Sequence, residues 1–159
     1  MRYSYQFLIS SYTGAESLPL LDEIGSEHVD LVLISHFHLD HCGALPNLLR
    51  NCIYVFLLVE RTFFALRNTE ESSTEIYMTM PTKVIMKNIL SDFLSISYTD
   101  HGAKPIYRTD DLDKCFEQVN VINYKEEKSY NGINFTCYPA GHVLGAAMFC
   151  VEIDGIRIL

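Results

Sequence analysis

Basic residues are scarce in this chain. Twelve lysines and arginines stand against twenty aspartates and glutamates, for a formal net charge of −8. That balance argues against a generic nucleic-acid coat, whose affinity rests on a surplus of Lys and Arg that displaces counterions. It leaves room for an enzyme whose bound cations, or whose partners, handle phosphate. Paired cysteines are lacking too: Cys42, Cys52, Cys115, Cys137 and Cys150 are odd in number, widely spread and without a CxxC. A disulfide framework is therefore not expected, and a reducing compartment fits better. The longest apolar run, Cys52 to Val59, is far short of the roughly 20 residues that cross a bilayer. The opening "MRYSYQFLISSYTG" has neither an apolar h-region nor a small-residue cleavage site, so no signal peptide is read there. Repeats and low-complexity tracts are absent as well. The expectation is one soluble, intracellular domain of 159 residues, 48% hydrophobic and 20% charged, with a real core and no membrane partner.

Weak patterning over residues 1–28 allows at most a short helix around Pro19–Ile24. "VDLVLIS" (Val29–Ser35) then reads as a strand buried on both faces. Directly after it come His36, His38, Asp40 and His41, at the carboxyl end of a strand, where open α/β sheets place ligands. "GALPNLLRN" reads as a helix start, and "EIYMTM" (75–80) as another strand. After Pro81 the spacing of Ile85, Ile89 and Phe93, joined by Met86, Leu90 and Leu94, predicts a helix with a wide apolar face. A second helix is expected over "TDDLDKCFEQV", with Thr109 as N-cap and Leu112, Cys115, Phe116 and Val119 on its apolar side. Turn signals at Asn131-Gly132 and Asp154-Gly155 separate the strands "INFTCY", "AMFCVEI" and "IRIL". The pattern as a whole is a layered α/β fold.

Four ligand-type residues in six positions are hard to explain by packing. Buried without a cation, they leave polar groups unpaired at a cost of about 1–3 kcal/mol each. Histidines at alternate positions of an extended segment point the same way, so His36 and His38 can grip one ion together. Asp40 and His41, where the chain turns into a helix, can serve a second ion a few ångströms away. Imidazole with carboxylate suits zinc first, with iron or manganese as further options. Of the remaining histidines, His28 and His101 read as ordinary surface or core residues. His142, in "YPAGHVLGAAMF" between two glycines, either caps a Gly-rich turn or completes the first site; ligation is the reading taken here. The expected set is His36, His38 and His142 on one metal and Asp40 with His41 on another, leaving the second under-coordinated.

At these two stretches the sequence resembles the metallo-β-lactamase superfamily, and within it the RNA-processing β-CASP branch. "SHFHLDHCGALP" looks like that branch's HxHxDH motif with its eukaryotic flank, and "AGHVLGAAMF" looks like its third-motif histidine. "YMTMPTKVIMKNILSDF" and "TDDLDKCFEQVNVINYKE" add to a likeness that covers most of residues 17–50 and 75–159. The resemblance implies an αββα sandwich and a nuclear endoribonuclease of pre-mRNA 3′-end processing. Its implied partners are the pre-mRNA substrate and other subunits of a cleavage and polyadenylation complex. It further implies two zinc ions, His36, His38 and His142 holding the first and Asp40 and His41 the second, with a hydroxide between them attacking the phosphodiester. Asp40 is also the implied catalytic residue that orients that hydroxide. The flanks "CGALP" and "GHVLGAAMF" favour RNA cleavage over a small-molecule metallo-hydrolase; an Integrator-type RNA endonuclease shares both motifs but resembles the linking sequence less, and a degenerate non-catalytic fragment is a further alternative that metal content separates.

Some of the family pattern is missing. The bridging aspartate follows the strand that here is "IRIL", and the sequence ends at Leu159 before it. The β-CASP domain, the later histidines and the general acid lie further on, and the family's first strands are not recognisable in residues 1–16. Residues 1–159 are therefore expected to form a partial metallo-β-lactamase domain, truncated before the β-CASP domain and inactive alone. Cys52–Asn68 has no family counterpart. It is flanked by the repeated "LRN" at Leu49–Asn51 and Leu66–Asn68, and its removal restores the family's helix-to-strand spacing. A buried strand or helix extension is one explanation of 52–68; a retained intron or gene-model error is the one preferred. Comparing transcript with genomic DNA decides between them.

Overall fold

The structure, a computed structural model, describes residues 29, 31–49, 74–99 and 105–159. Strand β1 (Leu31–Leu33) is followed by a one-turn helix, α1 (Leu39–Cys42), and residues 45–49 are helical, labelled α2. Strand β2 (Glu75–Met78), helices α3 (Met80–Thr99) and α4 (Thr109–Gln118), and strand β3 (Val119–Val121) come next. The three strands form a parallel sheet in the order β1-β2-β3, with Leu31 opposite Glu75 and Ile76 opposite Val119. Parallel neighbours need a long crossover, and α3 with α4 provides it between β2 and β3.

Strands β4 (Glu127–Tyr130), β5 (Ile133–Pro139), β6 (Ala147–Ile153) and β7 (Ile156–Ile158) make an antiparallel sheet in chain order. Two of its hairpins turn where the sequence signals them. Asn131 and Gly132 have φ of 48° and 80°, and Asp154 and Gly155 have 50° and 78°. A type I′ turn needs left-handed backbone at both positions, which Asn, Asp and Gly tolerate best.

The parallel sheet is covered on both faces. Ile34, Ile76, Met78 and Val119 pack with Met86, Leu90 and Leu94 of α3 and Leu112, Cys115 and Phe116 of α4. On the other face Leu31, Leu33 and Tyr77 pack against Phe135, Cys137, Phe149 and Val151 of the antiparallel sheet, and the Tyr77 and Phe135 rings lie 5.0 Å apart. The layers therefore run helix, sheet, sheet, which is three of the four in an αββα sandwich. Alternation along β2 produces this directly, because Ile76 and Met78 face the helices while Tyr77 faces the second sheet.

Two local expectations are corrected. Arg108, not Thr109, is the N-cap of α4; its backbone N–H donates to Asp111 Oδ2 at 2.8 Å, so a carboxylate three residues on replaces the expected hydroxyl cap. Val119 leaves the helix for extended backbone (φ −74°, ψ 120°) because it pairs with Ile76. A β-branched residue at helical spacing is thereby recruited by the sheet. The short helix around Pro19–Ile24, His28, His101 and the segment 52–68 lie outside the described residues.

Candidate metal centre

β1 delivers the first histidines. Ile34 still pairs with the sheet through its N–H to Tyr77 O at 3.0 Å, which fixes the chain up to Ser35. The backbone then turns sharply. His38 is the N-cap of α1, and its carbonyl accepts from His41 N at 2.9 Å and Cys42 N at 3.1 Å. The buried Cys42 thiol donates to Phe37 O at 3.3 Å and pins the turn from beneath. These short-range bonds gather His36, His38, Asp40 and His41 on one side of the strand end.

His142 arrives from the loop between β5 and β6. The loop closes on itself through Ala140 N to Ala146 O at 3.0 Å, and Ala147 N donates to Ser35 O at 2.8 Å. That last bond joins the start of β6 to the residue before His36. It carries His142 to the cluster from more than a hundred residues away in sequence.

The donor atoms of His36, His38 and His142 all lie within 4.8 Å of one another, His36 being buried and the other two exposed. His36 Nε2 stands 3.1 Å from His38 Nδ1. His41 packs its ring on His36 at 4.3 Å between centroids, and its Nε2 lies 3.3 Å from Asp40 Oδ2. All five residues singled out in the sequence thus come together, as a trio and an adjoining pair.

Their chemistry fits a metal. Nitrogen donors at 2.0–2.1 Å from one tetrahedral zinc stand about 3.3 Å apart, close to the 3.1 Å between His36 Nε2 and His38 Nδ1. His36, 8% exposed, has its pKa lowered to about 4, first by burial and then by His41, His38 and His142, against the opposing pull of Asp40. It is therefore a neutral imidazole at physiological pH, with a lone pair free for a cation. Ser35 Oγ lies 2.9 Å from His36 Nδ1; with the proton on Nδ1 directed at that oxygen, Nε2 is bare and faces the other histidines. Sequence reasoning missed Ser35, and only its adjacency to His36 could have flagged it. Two surface concavities, on the outer face of the antiparallel sheet and between α3 and α4, are not lined by a histidine.

The metallo-beta-lactamase superfamily domain matches residues 11–159. The chain is 39% identical over 151 residues to cleavage and polyadenylation specificity factor subunit 3 of Dictyostelium discoideum, covering 94% of this chain and 17% of that protein. It is 40% identical over 147 residues to cleavage and polyadenylation specificity factor 73 of Drosophila melanogaster, covering 92% and 19%. Against endoribonuclease YSH1 of Saccharomyces cerevisiae it is 40% identical over 156 residues, covering 94% and 18%. The chain therefore spans less than a fifth of the length of these curated relatives.

Proposed function

Because the chain belongs to the metallo-beta-lactamase superfamily, we propose that it carries the metal-holding face of a zinc-dependent endoribonuclease of pre-mRNA 3′-end processing. The observation that carries the proposal is the convergence of the His36, His38 and His142 donors within 4.8 Å. Relatives near 40% identity bear the names of cleavage and polyadenylation factors and an endoribonuclease, which supports RNA as the substrate.

In this scheme His36, His38 and His142 hold one zinc ion and Asp40 with His41 hold a second. Such ions, when bound, would supply positive charge beside a phosphodiester and make a water more acidic. Asp40, half-exposed beside His41, is the catalytic residue: its carboxylate accepts a hydrogen bond from that water and sets its direction. His36 stays neutral and fixed by Ser35, so no proton competes for its Nε2. Asp40 and His41 give two donors where a tetrahedral ion takes four, so the described residues bind the second ion more weakly than the first. The exposure of His38 and His142 opens the site to a polymer. The net charge of −8 is compatible with RNA because bound divalent cations reverse the local sign, and partner subunits of a nuclear cleavage and polyadenylation complex would bring further contacts. Among the described residues no helix is long and apolar enough to cross a membrane.

The test pairs metal content with substrate choice. Purified chain equilibrated with zinc should retain at most one ion per molecule, and His36→Ala should abolish that retention. Zinc content unchanged by the substitution refutes the ligand assignment. The zinc-loaded chain should bind an RNA carrying a polyadenylation site and leave a chromogenic β-lactam intact. Lactam turnover that disappears in His36→Ala would instead make the protein a small-molecule hydrolase.

A further inference from the structure

Thr79 and Thr82 lie outside the histidine cluster, at the junction of β2 and α3, yet their hydroxyls are spent on the loop that bears His142. Both are buried, at 4% and 0% exposure. Thr79 Oγ1 donates to Gly145 O at 2.6 Å, and Thr82 Oγ1 donates to the same oxygen at 3.0 Å. Each hydroxyl has one proton, so with both directed at Gly145 the 3.0 Å between the two Oγ1 atoms is a contact only. Thr79 Oγ1 also accepts from Thr82 N at 3.4 Å, which caps α3 and holds the two prongs in register.

Gly145 follows His142 by three residues and has φ of +81°, and a Cβ there would meet Pro81 Cβ, Thr79 Oγ1 and Thr82 N at 2.8 Å each. No side chain fits between the loop and the start of α3, so the loop backbone rests directly on the helix N-terminus. On its other side the loop is held by Tyr124 Oη, which donates to Ala146 O at 3.0 Å. The carbonyl of Gly145 has both lone pairs occupied, and rotating that peptide breaks both bonds at once.

We propose that Thr79 and Thr82 are positioning residues: a two-pronged hydroxyl clamp on the Gly145 carbonyl that sets how closely His142 approaches His36 and His38, and thereby the metal affinity of the trio. The effect on affinity presupposes the metal site proposed above, whereas the effect on the placement of the His142 ring does not. Valine keeps the shape of threonine and removes the proton. With valine at both positions the buried carbonyl has no donor, so the loop shifts to regain one.

The test compares the Thr79→Val/Thr82→Val pair, the Thr79→Ser/Thr82→Ser pair and His142→Ala. Two measurements are made on the full chain: zinc affinity by competition with a chromophoric chelator, and the imidazole resonances of His142 in metal-free protein. The valine pair should weaken zinc by about tenfold or more, the range seen when groups that orient a ligand are removed, and should move the His142 resonances. The serine pair should match the wild type in both. In a His142→Ala background the valine pair should weaken zinc no further, which a merely stabilising role would not produce. If the valine pair is poorly folded by circular dichroism, Thr82→Val alone removes the longer prong and should give a smaller change of the same sign. Unmoved His142 resonances in the folded valine variants overturn the clamp. If His142→Ala binds zinc like the wild type, the metal assignment of His142 fails instead, and the metal-free resonances still decide for or against the clamp.

Discussion

The two segments that build the histidine cluster reach it by different routes. Residues 36–41 are set by contacts within a few residues: the His38 carbonyl accepting from His41 and Cys42, and the Cys42 thiol donating to Phe37. His142 is set by long-range contacts: Ala147 to Ser35, the hydroxyls of Thr79 and Thr82 on Gly145, and Tyr124 on Ala146. The first segment therefore behaves as a local turn carrying its own donors. The second is only as well placed as the packing of both sheets and α3 allows.

The largest test of that difference is to remove one histidine from each side. His36 is buried and its ring lies against those of His38, His41 and His142. His36→Ala should reduce zinc retention to background, while His142→Ala should leave weak binding by the local segment, both read by metal analysis after dialysis. Equal losses would erase the distinction.

The next largest effect should come from the sheet that carries the His142 loop. Phe135 in β5 is 1% exposed and packs between the two sheets. Phe135→Ala should cost about 3–5 kcal/mol of unfolding free energy in urea. In hydrogen exchange the amides of 140–147 should lose protection before those of 38–43. Simultaneous loss in both segments would show that the local turn has no independent order.

A smaller effect tests the support beneath the local turn. Burial raises the Cys42 thiol to about 12, helped by Asp40 and Cys115, and burial likewise raises Cys115 to about 12. A thiol held neutral by the fold gives a contribution that is complete below its ordinary pKa of 9 and lost as pH rises through about 12. The urea midpoint of the metal-free chain should therefore fall between pH 9 and pH 12, and Cys42→Ala should flatten that fall. An identical slope in the variant would mean that Cys42 ionises as freely in the native chain as in the unfolded one.

The smallest effect distinguishes the two glycines around His142. A Cβ at Gly141 meets nothing within 4 Å, so only its φ of +70° opposes a side chain. Gly141→Ala should cost about 1–2 kcal/mol and leave zinc affinity close to wild type by chelator competition. A collapse of affinity would show that the turn at Gly141, and not the contact at Gly145, governs His142.

Much of this arrangement was legible in the chain. Apolar spacing placed α3 correctly because Met86, Leu90 and Leu94 must all face one sheet. The Asn-Gly and Asp-Gly pairs placed the hairpins because few other residues accept positive φ. Strand β3 was not legible: "VNV" is too short to show a period, and Val119 also satisfies the helical spacing of α4. Nor was Thr109's place inside α4 legible, since Thr is a good capping residue and Arg is not, and only backbone geometry shows that Arg108 holds the N-cap position. Thr79 and Thr82 gave no signal, because a hydroxyl bonded to a carbonyl 63 or 66 residues away has no local pattern.

The sequence by itself determined the chemistry: four donors at 36–41, a fifth at 142, and a family likeness carried by both motifs. Side-chain type and short spacing suffice for that, since alternate residues at a strand end share a face and a tight turn brings the next two alongside. Only the tertiary structure decided that His142 meets the others, that His36 is buried and neutral, and that Ser35, Thr79 and Thr82 stand behind the donors. Those properties depend on which backbone atoms meet when two sheets and a helix N-terminus pack. Packing of that kind is a collective outcome of the fold, and no short stretch of residues encodes it.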